Sequence, residues 1–441
     1  MAALHSLVSL LLVLTLVQWI TGISIQNMNG VEKVPNQYII KLNTAEWDFK
    51  NPTLLEQKIE SMRSELSRAV TNFKVVKKYD FGKIIFLLVE GEIETSVAYM
   101  LDVPEIANME ANIVVRASQD CERQTFAGWS LSRISSREKT FLNTYEYLEA
   151  DGENMYAYVL DSGIYIEHND FGGRAEHGFV HEDVDNGRHG DENGHGTHCT
   201  GTIIGSTYGV AKRARAIAVK VLGSGGTGSI SGIVEGFQWV LNDFQARGND
   251  FKAVVSMSLG SGFSTSLNDA TQEVINAGLP VVVAAGNEDQ DACLVSPATV
   301  SDAITVGASD SSDDLADYSN HGSCVDIIAP GSDVESAYIG STSRSATLSG
   351  TSMATPHVAG ALLRHLSQVQ GKRSPAELKN WLLDSATYNS IDIRSTATPN
   401  KLLYAPCNVS EALYDSAMSL YGNWFLITIN AFIVLRMMFF H

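Results

Sequence analysis

Basic residues are scarce in this chain. With 31 Lys and Arg against 50 Asp and Glu, its 441 residues carry a formal charge of −19 at pH 7. A surface of that sign repels phosphate backbones, which argues against nucleic acid as a partner. Cysteine is scarce as well: there are five, an odd number, so in an oxidising compartment at least one thiol stays free or pairs outside the chain. The glycine-rich stretch Gly223-Ser224-Gly225-Gly226 lacks the Lys-Ser/Thr ending of a phosphate-binding loop, which argues against a nucleotide there. Asp289, Asp291, Asp310, Asp313, Asp314 and Asp317 lack the spacing of an EF-hand and read as solvated loop carboxylates.

Long hydrophobic runs are confined to the two ends. Residues 5–20 form an apolar run ahead of the small residues Thr21, Gly22 and Ser24. The run is short for a membrane span and reads as a secretory signal peptide, although no Lys or Arg precedes it. At the other end, Ser416 and Ala417 precede a polar interval and an apolar run from Trp424 to Phe440 that Arg436 interrupts. That pattern fits either a signal for a GPI anchor or a marginal span, so the tail is a candidate for membrane attachment. Asn408-Val409-Ser410 is an N-glycosylation sequon with Asn408 as acceptor.

Between these ends the apolar pattern changes period. In residues 24–118, strand-like 37–42, a helical face of Leu55, Ile59, Met62 and Leu66, strand-like 73–76 and 83–89, a short helical pattern over 93–101 and strand-like 111–115 make a βαββαβ order. Further on, apolar runs at 155–160, 216–222, 253–259, 280–285, 303–307 and 325–329 alternate with helical patterns. One of these holds Ile230, Ile233, Val234, Phe237, Val240 and Leu241, another Leu267, Ala270 and Val274. Continuous β-branched strands with helical crossovers predict an α/β domain with a doubly wound parallel sheet, its functional groups at the carboxyl ends of strands.

Three stretches carry the chemistry. In Gly350-Thr351-Ser352-Met353-Ala354-Thr355-Pro356-His357-Val358-Ala359-Gly360, a serine opens a helical run in which Val358, Leu362 and Leu366 recur. At a helix N-terminus, unpaired N–H groups and the dipole favour developing negative charge. Pro356 is expected to be tolerated there because first-turn N–H groups have no intrahelical partner. Taken alone, Ser352 is a capping residue. A hydroxyl becomes a nucleophile when an imidazole takes its proton and a buried carboxylate fixes the imidazole's tautomer. Asn193-Gly194-His195-Gly196-Thr197-His198-Cys199 and Tyr158-Val159-Leu160-Asp161-Ser162-Gly163 supply those two groups as His195 and Asp161, the latter just after a strand. The surroundings of Ser352 do not form a Gly-x-Ser-x-Gly elbow, and the order Asp, His, Ser conflicts with an α/β-hydrolase. His195 and His198 share a helix face and suggest a metal pair, but no third ligand is spaced to join them.

These stretches, in this order, resemble the subtilisin-like serine peptidases, and their surroundings resemble the proteinase K subgroup, from about Trp129 to Tyr404. The resemblance implies a secreted serine endopeptidase that needs no catalytic cofactor. In it Asp161 orients His195, His195 serves Ser352, and Asn287 in Ala284-Ala285-Gly286-Asn287 donates to the oxyanion. His198 becomes a structural neighbour. Gly226-Thr227-Gly228 and Ser258-Leu259-Gly260 match the two edge segments that pair with an extended peptide. The first specificity pocket would be lined by Ser258 to Gly260 and Ala284 to Gly286, which carry no charge and favour apolar or aromatic side chains over basic ones. Structural calcium is implied at Asp326 with the carbonyls of Ser301 and Ala303, a disulfide at Cys293 and Cys324, and a free thiol at Cys199. Cys121 and Cys407 then remain, and their pairing stays open.

Residues 24–118 resemble the inhibitor-type propeptides of the same family, including Val103-Pro104-x-Ile106-x-x-Met109-Glu110, although Ala111-Asn112 stands where the family carries an acidic residue. The implied organisation is a signal peptide (1–23), a small α+β, ferredoxin-like propeptide acting as an intramolecular inhibitor (24–118), a peptidase domain (119–405) and a tail (406–441). The maturation cut is expected between Arg116 and Arg123. Protein and peptide substrates are the expected partners. The alternative is a secreted, self-inhibited binding or regulatory protein on a peptidase scaffold.

Overall fold

The computed structural model of the chain describes residues 33–43, 52–69, 71–81, 84–92, 103, 106–113, 121–139, 143–369, 371–393 and 397–407. The terminal runs, the sequon at Asn408 and the short helical pattern at 93–101 lie outside these residues. Among the described residues, no helix is long and apolar enough to cross a membrane. The chain clusters into two compact units that divide between residues 118 and 119.

The first unit contains β1 (Lys33–Leu42), α1 (Pro52–Ala69), β2 (Thr71–Asp80), β3 (Ile85–Glu92) and β4 (Ile106–Ile113), with a sheet in the order β2-β3-β1-β4. β1 pairs antiparallel with β3 and with β4. Alternate residues of β3 face inward, so Ile85, Leu87 and Val89 meet Ile59, Met62 and Leu66 of α1. The last strand starts five residues before the 111–115 run expected from sequence. Ile106 and Met109 are the buried residues, and the pairing with β1 shifts register at Leu42, so strict alternation is lost.

The second unit is built on a nine-stranded sheet. Its strands are β5 (Met155–Asp161), β6 (Ala175–Val180), β7 (Arg215–Lys220), β8 (Lys252–Met257), β9 (Val281–Ala284), β10 (Ile304–Ser309), β11 (Ile327–Pro330), β12 (Thr387–Tyr388) and β13 (Lys401–Leu402). They lie in the order β12-β13-β11-β10-β9-β8-β5-β7-β6, parallel except at the β12–β13 edge. The order reverses beside β5, whose neighbours are β7 on one side and β8 on the other. Such a switch point opens a crevice at the strand ends.

Helices cover both faces, as expected for strands with no polar side. Ala157 and Val159 of β5 pack with α3 (His195–Ile204) and α6 (Thr351–Gln368), together with Ile203, Val358 and Leu362. Tyr158 and Leu160 point the other way, into a core with Phe237 and Val240 of α4 (Ile230–Arg247) and Leu267 and Val274 of α5 (Thr265–Asn276). α2 (Trp129–Ile134) and α7 (Pro375–Ser385) complete the unit.

Two long-range ties close it. Cys121 pairs with Cys407, 286 residues away, and Cys293 pairs with Cys324. Arg364 of α6 is buried, and its guanidinium donates to Asp151 (2.7 Å), the Tyr145 hydroxyl (2.6 Å) and the carbonyls of Ala405 (2.9 Å) and Pro406 (3.0 Å). One side chain on the helix that carries Ser352 thus holds the start and end of the unit. Arg364→Met should leave the fully buried Asp151 carboxylate without its cation, at a cost of about 3–5 kcal/mol. Urea denaturation of the two chains measures that difference.

Candidate active site

Asp161 ends β5 at the switch point with its side chain fully buried. A carboxylate there must be paired, and it accepts from the Ser162 N–H (2.7 Å) and lies 2.8 and 2.9 Å from Nδ1 of His195. The contact assigns the imidazole proton to Nδ1 and leaves Nε2 as the basic nitrogen. Burial alone would lower the pKa of His195, but the Asp161 charge overcomes it and carries the imidazole well above its ordinary value. Cys199 lies 3.9 Å from Nδ1, and burial pushes its thiol up, so it is neutral and Asp161 supplies the charge.

The approach of α3 to β5 depends on Gly196. A Cβ at this position would stand 2.2 Å from the Gly163 carbonyl oxygen and 3.1 Å from Cβ of Asp161. Asp191 organises the loop before the helix. Its carboxylate accepts from the Ser162 hydroxyl (2.9 Å), from the N–H groups of Asn193 (3.0 Å), Gly194 (2.8 Å) and Thr197 (2.9 Å), and from the Thr197 hydroxyl (2.5 Å). The Ser162 hydroxyl in turn accepts from Gly196 N–H at 2.9 Å. His198 points away into the core. Burial lowers its pKa to about 4, so it is a neutral ring, and its Nε2 is 3.0 Å from the Val334 carbonyl and 3.1 Å from that of Ala346.

Ser352 is the second residue of α6, after an N-cap at Gly350. Its N–H lies in the first turn, where it has no intrahelical acceptor. Pro356 is the sixth residue, too deep for the free-donor argument made from sequence. Having no N–H, it leaves the Ser352 carbonyl without its helical donor. The Ser258 hydroxyl (3.0 Å) and the Cys199 thiol (3.4 Å) fill that gap. The Ser352 hydroxyl donates to the Ser258 carbonyl at 3.0 Å rather than to His195.

Asn287 follows β9. Its Oδ1 accepts from the N–H (2.8 Å) and hydroxyl (3.0 Å) of Thr351, so Nδ2 is the end of the amide left to donate outward. A Cβ placed on Gly350 would stand 3.6 Å from Nδ2 and Oδ1 of Asn287 and from the Ser352 nitrogen, so the amide and that N–H adjoin the same point. Buried Asn320 braces this loop, donating to the Ala285 carbonyl (2.9 Å) and accepting from the N–H groups of Glu288 and Gln290 (3.0 Å each).

The remaining predicted residues follow strand ends on the same edge of the sheet. Gly226, Gly228 and their neighbours form an exposed turn after β7, closed by the Gly226 N–H to the Gly223 carbonyl at 2.8 Å. Ser258, Leu259 and Gly260 follow β8, while Ala284, Ala285 and Gly286 end and follow β9. One charge adjoins the stretch predicted to be neutral. The Glu288 carboxylate accepts from the Asn287 N–H (2.9 Å) and from Asn320 Nδ2 (2.8 Å).

The expected calcium site needs correction. Ser301, Ala303 and Asp326 do converge, but around an ammonium group: Nζ of Lys379 lies 2.8 Å from the Ser301 carbonyl, 2.7 Å from that of Ala303 and 2.8 Å from the Asp326 carboxylate. Burial raises the Asp326 carboxyl and Lys379 pulls it back. A divalent ion does not fit while a lysine fills the same position.

Several of these residues escaped the sequence reading. Asp191, two residues before Asn193-Gly194, carries the signature of an Asx-type loop. Thr351, Asn320 and Lys379 carried no local signal, because their partners are distant in the chain.

A family model described as "Subtilase family" matches residues 152–404. The chain is 47% identical over 323 residues to "Subtilisin-like protease 2" of Pseudogymnoascus destructans, covering 73% of this chain and 75% of that protein. It is 38% identical over 390 residues to a "Cuticle-degrading serine protease" of Arthrobotrys oligospora, covering 86% and 93%. Among solved structures it resembles "a cold adapted subtilisin-like serine proteinase" with a TM-score of 0.60 and 42% identity, over 64% of this chain and 100% of that one.

NMR titration of His195 should give a pKa well above 6.5. In Asp161→Asn the carboxylate charge no longer opposes burial, so the pKa should fall. An unchanged titration would remove Asp161 as the cause.

Proposed function

The chain belongs to the subtilase family of serine peptidases, and on that premise we propose that it hydrolyses peptide bonds through Ser352, His195 and Asp161 after cutting off its own N-terminal unit. The main support is the bond from His195 Nδ1 to buried Asp161, in a crevice that Ser352 enters from a helix N-terminus.

The Ser352 hydroxyl turns from the Ser258 carbonyl toward His195 Nε2, which takes its proton as Oγ attacks the peptide carbonyl. The carbonyl oxygen becomes an oxyanion, held by Asn287 Nδ2 and the Ser352 N–H. The imidazolium, stabilised by Asp161, returns its proton to the departing amine and leaves an acyl group on Ser352. Water then repeats the sequence: His195 takes its proton, the oxygen attacks the acyl carbon, and Ser352 leaves with the proton back on Oγ.

Substrate lies extended between Gly226-Thr227-Gly228 and Ser258-Leu259-Gly260, adding backbone pairing of the β-augmentation kind. Gly260, Ala284, Ala285 and Gly286 favour an apolar or aromatic residue before the scissile bond. The Glu288 carboxylate lies beside Gly286 and is engaged by the Asn287 N–H and Asn320 Nδ2. Residues 24–118 act as an inhibitor, and the mature enzyme works outside the cell on protein substrates.

A denaturing gel and a peptide with an apolar residue before the cut test this reading. The wild-type chain should split between residues 116 and 123 and cleave the peptide, and Ser352→Ala should do neither. A chain that splits yet stays inert, bound to its N-terminal piece, would replace the degradative reading with a self-inhibited one. Asn287→Ala should lose about 100- to 1,000-fold in kcat with little change in KM. Because His195 must be neutral to act as base and its pKa is raised, kcat/KM should climb with pH to an alkaline plateau.

A further inference from the structure

Lys379 sits in the first half of α7. Ser374 and Glu377 form a capping box at the start of this helix, with Pro375 in its first turn. The cap fixes where the helix begins and therefore where Lys379 reaches. The lysine extends to the amino ends of two neighbouring parallel strands, with Ser301 and Ala303 just before β10 and Asp326 just before β11. The strands are already joined here, since the Asp326 N–H donates to the Thr305 carbonyl and the Thr305 N–H to the Asp326 carboxylate, each at 2.9 Å.

Four oxygens converge on Nζ: two carbonyls, at 2.8 and 2.7 Å, and both carboxylate oxygens of Asp326, at 2.8 Å. Carbonyls and a carboxylate around one point are the donor set of a hard cation. The distances are those of charge-assisted N–H···O bonds, longer than the 2.3–2.6 Å of calcium. The Lys379 and Asp326 side chains are only 16% and 20% exposed, so the pair is screened less than a surface ion pair.

We propose that Lys379 is a covalently attached replacement for a divalent cation, clipping α7 to the amino ends of β10 and β11, so that this chain takes up no calcium at Ser301, Ala303 and Asp326. The clip lies at the edge of the sheet opposite the catalytic residues and acts on stability. Metal scavengers would not loosen this point of the fold.

The test compares thermal midpoints of the full chain in excess calcium and in excess chelator, with Ser352→Ala in every sample so that self-digestion cannot mimic unfolding. The difference between the two conditions should be the same in the parent and in Asp326→Asn. In Lys379→Ala the emptied oxygens become a metal site. Its midpoint should drop by about 5 °C in chelator and recover in calcium, and adding Asp326→Asn should abolish the recovery. Terbium titration should show one new site in Lys379→Ala relative to the parent. A calcium-dependent gain in the parent that Asp326→Asn removes would overturn the proposal, even if Lys379→Ala failed to fold. So would a Lys379→Ala chain that loses stability and gains nothing from calcium.

Discussion

A carboxylate with no access to water is the constraint around which the site is arranged. Asp161 is charged at the end of a buried strand, and an isolated charge there would cost several kcal/mol. It is held because the Ser162 N–H and the His195 imidazole both face it. The imidazole can face it only because α3 comes close enough, and α3 comes close because position 196 has no side chain. Burial opposes a charged histidine here as elsewhere, and the Asp161 charge outweighs it at His195.

The groups that meet at the crevice come from opposite kinds of element. Asp161 and Asn287 leave the carboxyl ends of strands, while His195 and Ser352 enter at helix starts. The parallel sheet aligns these ends on one edge, and the helix starts add unpaired N–H groups beside them. Secondary hydrogen bonds then set orientation. Asp191 seats the turn into α3, and Thr351 turns the Asn287 amide. Pro356 withholds a helical bond so that Ser352 is tied sideways to Ser258 and Cys199 instead.

What could be read in the sequence was local. Asp161, His195 and Ser352 each stand in a stretch whose glycines and apolar periodicity announce a strand end or a helix start, and the doubly wound sheet followed from unbroken β-branched runs. What could not be read was tertiary. The partner of Lys379 lies 53 residues away, and a lysine on an amphipathic helix looks solvated until the helix is docked. Cys121 and Cys407 could be matched only once the ends of the unit were known to meet. β4 was displaced because its inward residues, Ile106 and Met109, do not alternate. Pro356 lies past the free donors although the helix starts within one residue of the expected Ser352, because only about the first four N–H groups lack an intrahelical acceptor.

The disulfide between Cys121 and Cys407 turns the peptidase unit into a covalent ring whose closing residues stand 6.0 Å apart between Cα atoms. A linear chain cut once yields two fragments free to diffuse apart. A ring cut once remains a single molecule, with every packed element still at high local concentration near its neighbours. In the ring, the first nick opens a loop, and only a second nick sets a piece of the fold loose.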